Sequence, residues 1–130
     1  MPEFLKDSLI VGLGGFLGAV VRFLIGSWIV GRYGASFPWA TFVINVSGSF
    51  FLGLIGTLLL SRVLVSPNWR LGVTIGFIGA YTTFSTFEYE SAKLGWSWAA
   101  LGNLLGSVVA GYGAVWLGIR LGQVWPSVGH

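Results

Sequence analysis

The sequence predicts an all-α membrane protein, one domain over residues 1–130, that crosses the bilayer four times with its third helix broken near its centre. Three observations carry that expectation. Hydrophobic residues make up 55% of the chain and charged residues 8%, against about 25% charged in a soluble domain. Four segments approach the run of about 20 largely apolar residues that a membrane crossing requires. The 21 glycines lie mostly inside those segments, at helical spacing, rather than between them.

The same composition excludes several kinds of chemistry. Cysteine is absent, which removes disulfides and thiolate metal sites, and the single histidine, His130, ends the chain. A net charge of +3, spread along the sequence, supplies no basic patch for nucleic acid. No set of nucleophile, base and orienting group is legible, so an enzyme is not expected.

The predicted spans are residues 8–30, 38–60, 69–87 and 97–121. Met1 to Asp7 is mixed in charge, and the apolar run after it is too long for a signal-peptide core, so it reads as the first span. The separators are short and turn-like: Gly31-Arg32-Tyr33-Gly34, Ser66-Pro67-Asn68, and Ser91 to Gly95. Span one carries Gly14 and Gly18. Span two sets Asn45, Ser49, Gly53 and Thr57 on one stripe. Span three has Gly72, Gly76 and Ala80. Span four repeats a small residue at Gly102, Gly106, Ala110, Ala114, Gly118 and Gly122. Small residues at this spacing let helix backbones approach closely in lipid. Tryptophans such as Trp39, Trp69, Trp96 and Trp98 fall near span ends, as an aromatic belt would place them.

Four short helices enclose little interior, so a transport path forms more easily between subunits and an oligomer is expected. The orientation signal is nearly balanced. Lys6, Arg62, Arg70 and Arg120 fall on the side of the termini, while Arg32, Lys93 and, depending on its direction, Arg22 fall on the other. Such a chain is free to insert both ways, which permits an antiparallel dimer with its two-fold axis in the membrane plane.

Three places carry polar chemistry. Span three centres on Gly76-Phe77-Ile78-Gly79-Ala80-Tyr81-Thr82-Thr83-Phe84-Ser85-Thr86-Phe87, a cluster of poor helix formers at membrane depth. A break there frees carbonyls suited to an alkali cation, and the hydroxyls of Thr82, Thr83, Ser85 and Thr86 are donors suited to an anion. The plainer alternative is that these hydroxyls bond back to their own helix and bend it. Asn45 is an amide in an apolar stretch, and it bonds either another helix or a permeating species. Asn103 and Ser107 form a similar pair one turn apart on span four. Arg22 lies inside span one; it is expected to snorkel to the nearer interface, where its field draws anions to a vestibule. Glu88 and Glu90 are expected near an interface.

Gly79-Ala80-Tyr81-Thr82-Thr83-Phe84-Ser85-Thr86-Phe87 resembles the signature of the Fluc fluoride channels, also called CrcB proteins. Gly14-Gly15-Phe16-Leu17-Gly18-Ala19-Val20-Val21-Arg22 is similar to the family's first-helix motif, and Trp39-Ala40-Thr41-Phe42-Val43-Ile44-Asn45-Val46-Ser47-Gly48 to its second. The resemblance implies a passive fluoride channel of the prokaryotic inner membrane that lowers cytoplasmic fluoride. It implies an antiparallel dual-topology homodimer with two pores and a central structural sodium ion. By motif position, Phe84 and Phe87 would be the pore phenylalanines, and Asn45 would reach the pore from span two. Ser85 and Thr86 would be polar pore groups, and Asn103 and Ser107 would lie on a polar track. The carbonyls of Gly79 and Thr82 would hold the sodium. Ala80 and Glu88 depart from the family's usual Gly and Ser; the second bears on vestibule electrostatics.

The competing expectation is a small four-helix, proton-coupled exporter of cationic drugs. It needs a membrane-buried carboxylate, a role open to Glu88 or Glu90 only if span three lies deeper than its sequence suggests. A structural membrane subunit, the third reading, leaves Asn45 and the threonine cluster unexplained.

Overall fold

The computed structural model describes residues 1–61 and 66–126; Arg62 and His130 lie outside them. In chain order the elements are α1 (Glu3–Tyr33), α2 (Trp39–Ser61), α3 (Pro67–Trp69), a π-helical stretch (Arg70–Ile78), α4 (Gly79–Tyr81), α5 (Phe84–Lys93) and α6 (Trp98–Val124). Among the described residues no strand occurs. Helices α1, α2 and α6 are each long and apolar enough to cross a membrane.

The boundaries follow local chemistry. Helix α1 ends where Gly34 takes φ of 81° and its N–H returns to the Val30 carbonyl at 2.8 Å. Ser66 caps α3 by accepting from the Asn68 N–H, with Pro67 pre-set for the first helical turn. Ser97 caps α6 through the Ala100 N–H at 3.1 Å.

The third predicted span is the one that differs. It is helical over residues 67–81, leaves the helix at Thr82 (φ −82°, ψ 158°) and Thr83 (φ −151°, ψ 113°), and resumes as α5 to Lys93. The break falls inside the Gly76-to-Phe87 stretch expected to carry it, and the helix then runs through most of the stretch read as a separator from Ser91 to Gly95. The cause is local: Thr83 in an extended conformation caps α5 with its own hydroxyl, bonded by the Thr86 N–H at 3.3 Å, so a new helix starts where the old one stops.

Packing uses the glycines, but not all of them. Helix α1 lies against the π-helical stretch so closely that a Cβ on Gly14 would overlap the Gly72 carbonyl, and one on Gly18 the Phe77 carbonyl. Helix α2 lies against α6 in the same way, with Gly53 on the Val115 carbonyl and Gly118 on that of Phe50. The expected span-four stripe divides: Gly118 and Gly122 press on α2, whereas Gly102 and Gly106 meet nothing within 4 Å. Few side chains are enclosed. Ile29, Ile44, Ile78, Tyr81, Phe87 and Ala100 are buried, while most large apolar side chains, including Leu13, Phe23, Val109 and Trp116, face outward. That inversion suits a lipid surround.

Candidate functional site: the broken third span and its two cavities

The break is held by Asn45. Its Nδ2 donates to the Thr83 carbonyl at 2.9 Å, and the Thr83 N–H donates to its Oδ1 at 2.8 Å. An amide side chain thereby pairs with a residue that no longer belongs to a helix, satisfying both of its backbone polar groups. The Thr83 N–H is the donor that an unbroken α-helix would bring to the Gly79 carbonyl, and it is given to Asn45 instead. Thr82 closes the preceding helix, its N–H and its hydroxyl each donating to the Ile78 carbonyl at 3.1 Å.

Tyr81, 8% exposed, anchors the same corner. Its hydroxyl lies 2.9 Å from Ser47 Oγ on α2, and its ring stacks on Phe77 at 6.2 Å between centroids. Gly48 makes room for it; a Cβ there would overlap the Thr82 methyl and press on the Tyr81 ring.

Two cavities flank the break, and Thr83 lines both. The first, about 340 Å³, is bounded by Asn45, Thr82, Thr83, Phe84, Phe87 and Ser107 among others. Phe84 and Phe87 stand 5.9 Å apart between ring centroids at 46°, Phe84 largely exposed and Phe87 buried. The second, about 670 Å³, is bounded by Arg22, Thr41, Thr83, Thr86 and Glu90 with apolar neighbours. Thr86 accepts from the Thr83 hydroxyl at 3.0 Å.

Arg22 bonds at the corner of the break. It is half-buried, and its Nε donates to the Ala80 carbonyl at 3.1 Å, just before the break. A charged donor there compensates a carbonyl near the helix end. Glu90 is tied to the first turn of α2. Thr41, 7% exposed, donates its hydroxyl to Glu90 Oε1, which draws that carboxylate against α2 and onto the wall of the larger cavity.

On the far side of Phe87, Asn103 is 1% exposed and is bonded at both ends of its amide, to one residue of α5 and one of α6. Its Nδ2 donates to Ser91 Oγ at 2.8 Å, Ser91 donates to the Phe87 carbonyl at 2.8 Å, and Ser107 donates to Asn103 Oδ1 at 3.1 Å.

The structure thus gathers Asn45, Phe84, Phe87 and Ser107 around one cavity, and Arg22 and Thr86 around the other. Ser85 is exposed and outside both, and Asn103 reaches the first only through Ser107. Gly79 and Thr82 flank the corner itself. Sequence reasoning passed over Ser91, Thr41 and the Ser47–Tyr81 pair. Ser91 was counted into a separator, though its spacing of four from Phe87 is the mark of a hydroxyl bonding back along a helix.

A broken helix braced by an amide from its neighbour, with a cavity carrying a few polar groups on either side and an apolar exterior, fits a multi-pass membrane protein of the channel or transporter class. The family comparison agrees and is more specific. Residues 9–119 match the model of the family described as CrcB-like protein, Camphor Resistance (CrcB), and the chain belongs to that family. A relative from Acidobacterium capsulatum is 50% identical over 121 residues, covering 87% of this chain and 93% of its own. One from Solibacter usitatus is 48% identical over 118 residues, covering 88% and 97%. One from Chlorobium phaeobacteroides is 40% identical over 128 residues, covering 96% and 99%. All three bear the name fluoride-specific ion channel FluC.

Proposed function

We propose that this chain is a fluoride-selective passive channel, not an enzyme, which lets fluoride leave the cytoplasm across a prokaryotic inner membrane. The observation that carries the proposal is the near full-length likeness, at 40–50% identity, to proteins named as fluoride-specific channels. The site chemistry supports it. Fluoride is a small, strongly hydrated acceptor, so a path must replace its water with donors. Arg22 and the Thr86 hydroxyl line one cavity; the Asn45 amide and the rings of Phe84 and Phe87 line the other. Ring edges are electropositive and attract an anion without the full charge that would trap it. The path runs in this reading from the Arg22 cavity, past Thr83, to the phenylalanine cavity.

In the same reading the broken third span counts as a crossing, giving four, and two copies associate antiparallel. The outward-facing glycines Gly102 and Gly106 and the nearly balanced cations support that arrangement. The chemistry of the corner supports a structural sodium ion in this reading. Thr82 is extended, and the helical donor for Gly79 is diverted to Asn45, so the carbonyls of Gly79 and Thr82 are hard oxygen ligands of the right kind. Those carbonyls would hold the ion, and a sodium bound there would supply a fixed positive charge at the corner.

The deciding experiment is anion efflux from proteoliposomes. Fluoride efflux with chloride retained is the expected result; equal efflux of both ions overturns it. Proton-driven uptake of an aromatic cation would instead favour the exporter, for which Glu90 on its cavity wall would be the carboxylate.

A further inference from the structure

We infer that Ser91 and Asn103 are positioning residues that aim the Ser107 proton away from the phenylalanine cavity and thereby keep fluoride loosely held there. The inference rests on the fluoride-channel reading.

The direction of the relay is forced from its buried end. The Phe87 carbonyl has no proton, so Ser91, 2.8 Å away, donates to it. The opposite choice would set two oxygens 2.8 Å apart with no proton between them. With its one proton committed, Ser91 Oγ is an acceptor toward Asn103, and the atom facing it at 2.8 Å is Nδ2. The amide orientation is then fixed, Oδ1 faces Ser107 at 3.1 Å, and Ser107 is the donor. Ser107 lines the cavity beside Phe84 and Phe87. Its proton is on Asn103, so its lone pairs are what it offers to that space.

An arriving fluoride needs a donor. Ser107 supplies one only by turning its proton off Asn103, and Asn103 is 1% exposed, so no water replaces the lost bond. The ion gains one hydrogen bond and the protein loses one. Net affinity at this point stays low, which is what exit from a pore requires.

The test is fluoride current through the full-length protein in planar bilayers as a function of fluoride concentration. Asn103→Leu removes the acceptor that competes for the Ser107 proton. The half-saturating fluoride concentration is expected to fall about three- to tenfold, the worth of one net hydrogen bond, and the maximal current to fall with it. Ser91→Ala removes the constraint on the amide while changing one hydroxyl, and the shift is expected in the same direction. In a Ser107→Ala background the Asn103→Leu shift should vanish, an outcome that a purely structural role for Asn103 would not produce. An unchanged or raised half-saturating concentration in protein that elutes as wild type overturns the inference, and Ser91→Ala decides alone if Asn103→Leu does not assemble. Failure of the channel reading itself is separate: the wild type would then carry no fluoride current.

Discussion

Asn45 and Thr83 exchange hydrogen bonds in both directions, at 2.9 and 2.8 Å, as two peptides facing each other across a sheet would. A side chain from α2 therefore replaces the helical partners that the third span gives up. The amide is both brace and cavity wall, and the two duties make its substitution informative.

Asn45→Asp keeps the shape but turns the Nδ2 donor into an oxygen that faces the Thr83 carbonyl. The expected result is loss of fluoride flux together with a destabilisation of about 1–3 kcal/mol, the penalty for an unsatisfied buried group. Thermal unfolding in detergent beside liposome efflux checks it. Wild-type stability would remove the brace, and wild-type flux the pore role.

The two phenylalanines should separate stability from conduction. Phe84 is 69% exposed and Phe87 6%. Phe84→Ile is expected to leave the unfolding midpoint nearly unchanged, and Phe87→Ile to cost up to about 1.5 kcal/mol as a near volume-conserving swap. Both should depress flux strongly, because Ile lacks the electropositive ring edge. Persistent flux in both variants would assign the rings to packing alone.

Much of this was legible in the sequence, and the limits are physical. Spans α1, α2 and α6 were readable because a continuous apolar run has few alternatives to a membrane helix. The broken span and the stretch that carries the break were readable from its Gly and Thr content, but the exact residue at which the helix stops was not. Where a helix stops depends on which N–H finds another partner, and the partner of Thr83 is 38 residues away. The Arg22 contact was hidden for the same reason: its carbonyl acceptor on Ala80 is 58 residues distant. Thr41 and Glu90 meet only through the fold.

The glycines divide into tight and open positions, which predicts opposite responses to a single methyl. Gly18→Ala would drive a Cβ into the Phe77 carbonyl, whereas Gly12 meets nothing within 4 Å. Gly18→Ala is expected to destabilise by about 1–3 kcal/mol, and Gly12→Ala to be neutral or mildly stabilising. Urea or thermal denaturation compares them; equal effects would refute close packing of α1.

Dual topology has a direct readout because the chain has no cysteine of its own. A thiol introduced by Glu3→Cys, at an exposed position in the first turn of α1, should label from both faces of intact cells. Labelling from one face only would exclude the antiparallel dimer.

Sodium should raise thermal stability if Gly79 and Thr82 hold it, since a ligand bound only by the folded state shifts unfolding upward. The unfolding midpoint in sodium chloride is expected to exceed that in N-methylglucamine chloride at equal ionic strength. Identical midpoints would remove the ion from the corner.

The interruption at Thr82 and Thr83 also bears on how the protein is made. Residues 67–81 rise at most about 22 Å and α5 about 15 Å at 1.5 Å per residue, while the hydrocarbon layer is about 30 Å thick. Neither piece crosses alone, and the peptide between them would enter lipid without partners. Asn45 and Arg22, which supply those partners, lie in helices translated earlier. The order of synthesis therefore delivers the brace before the segment that needs it.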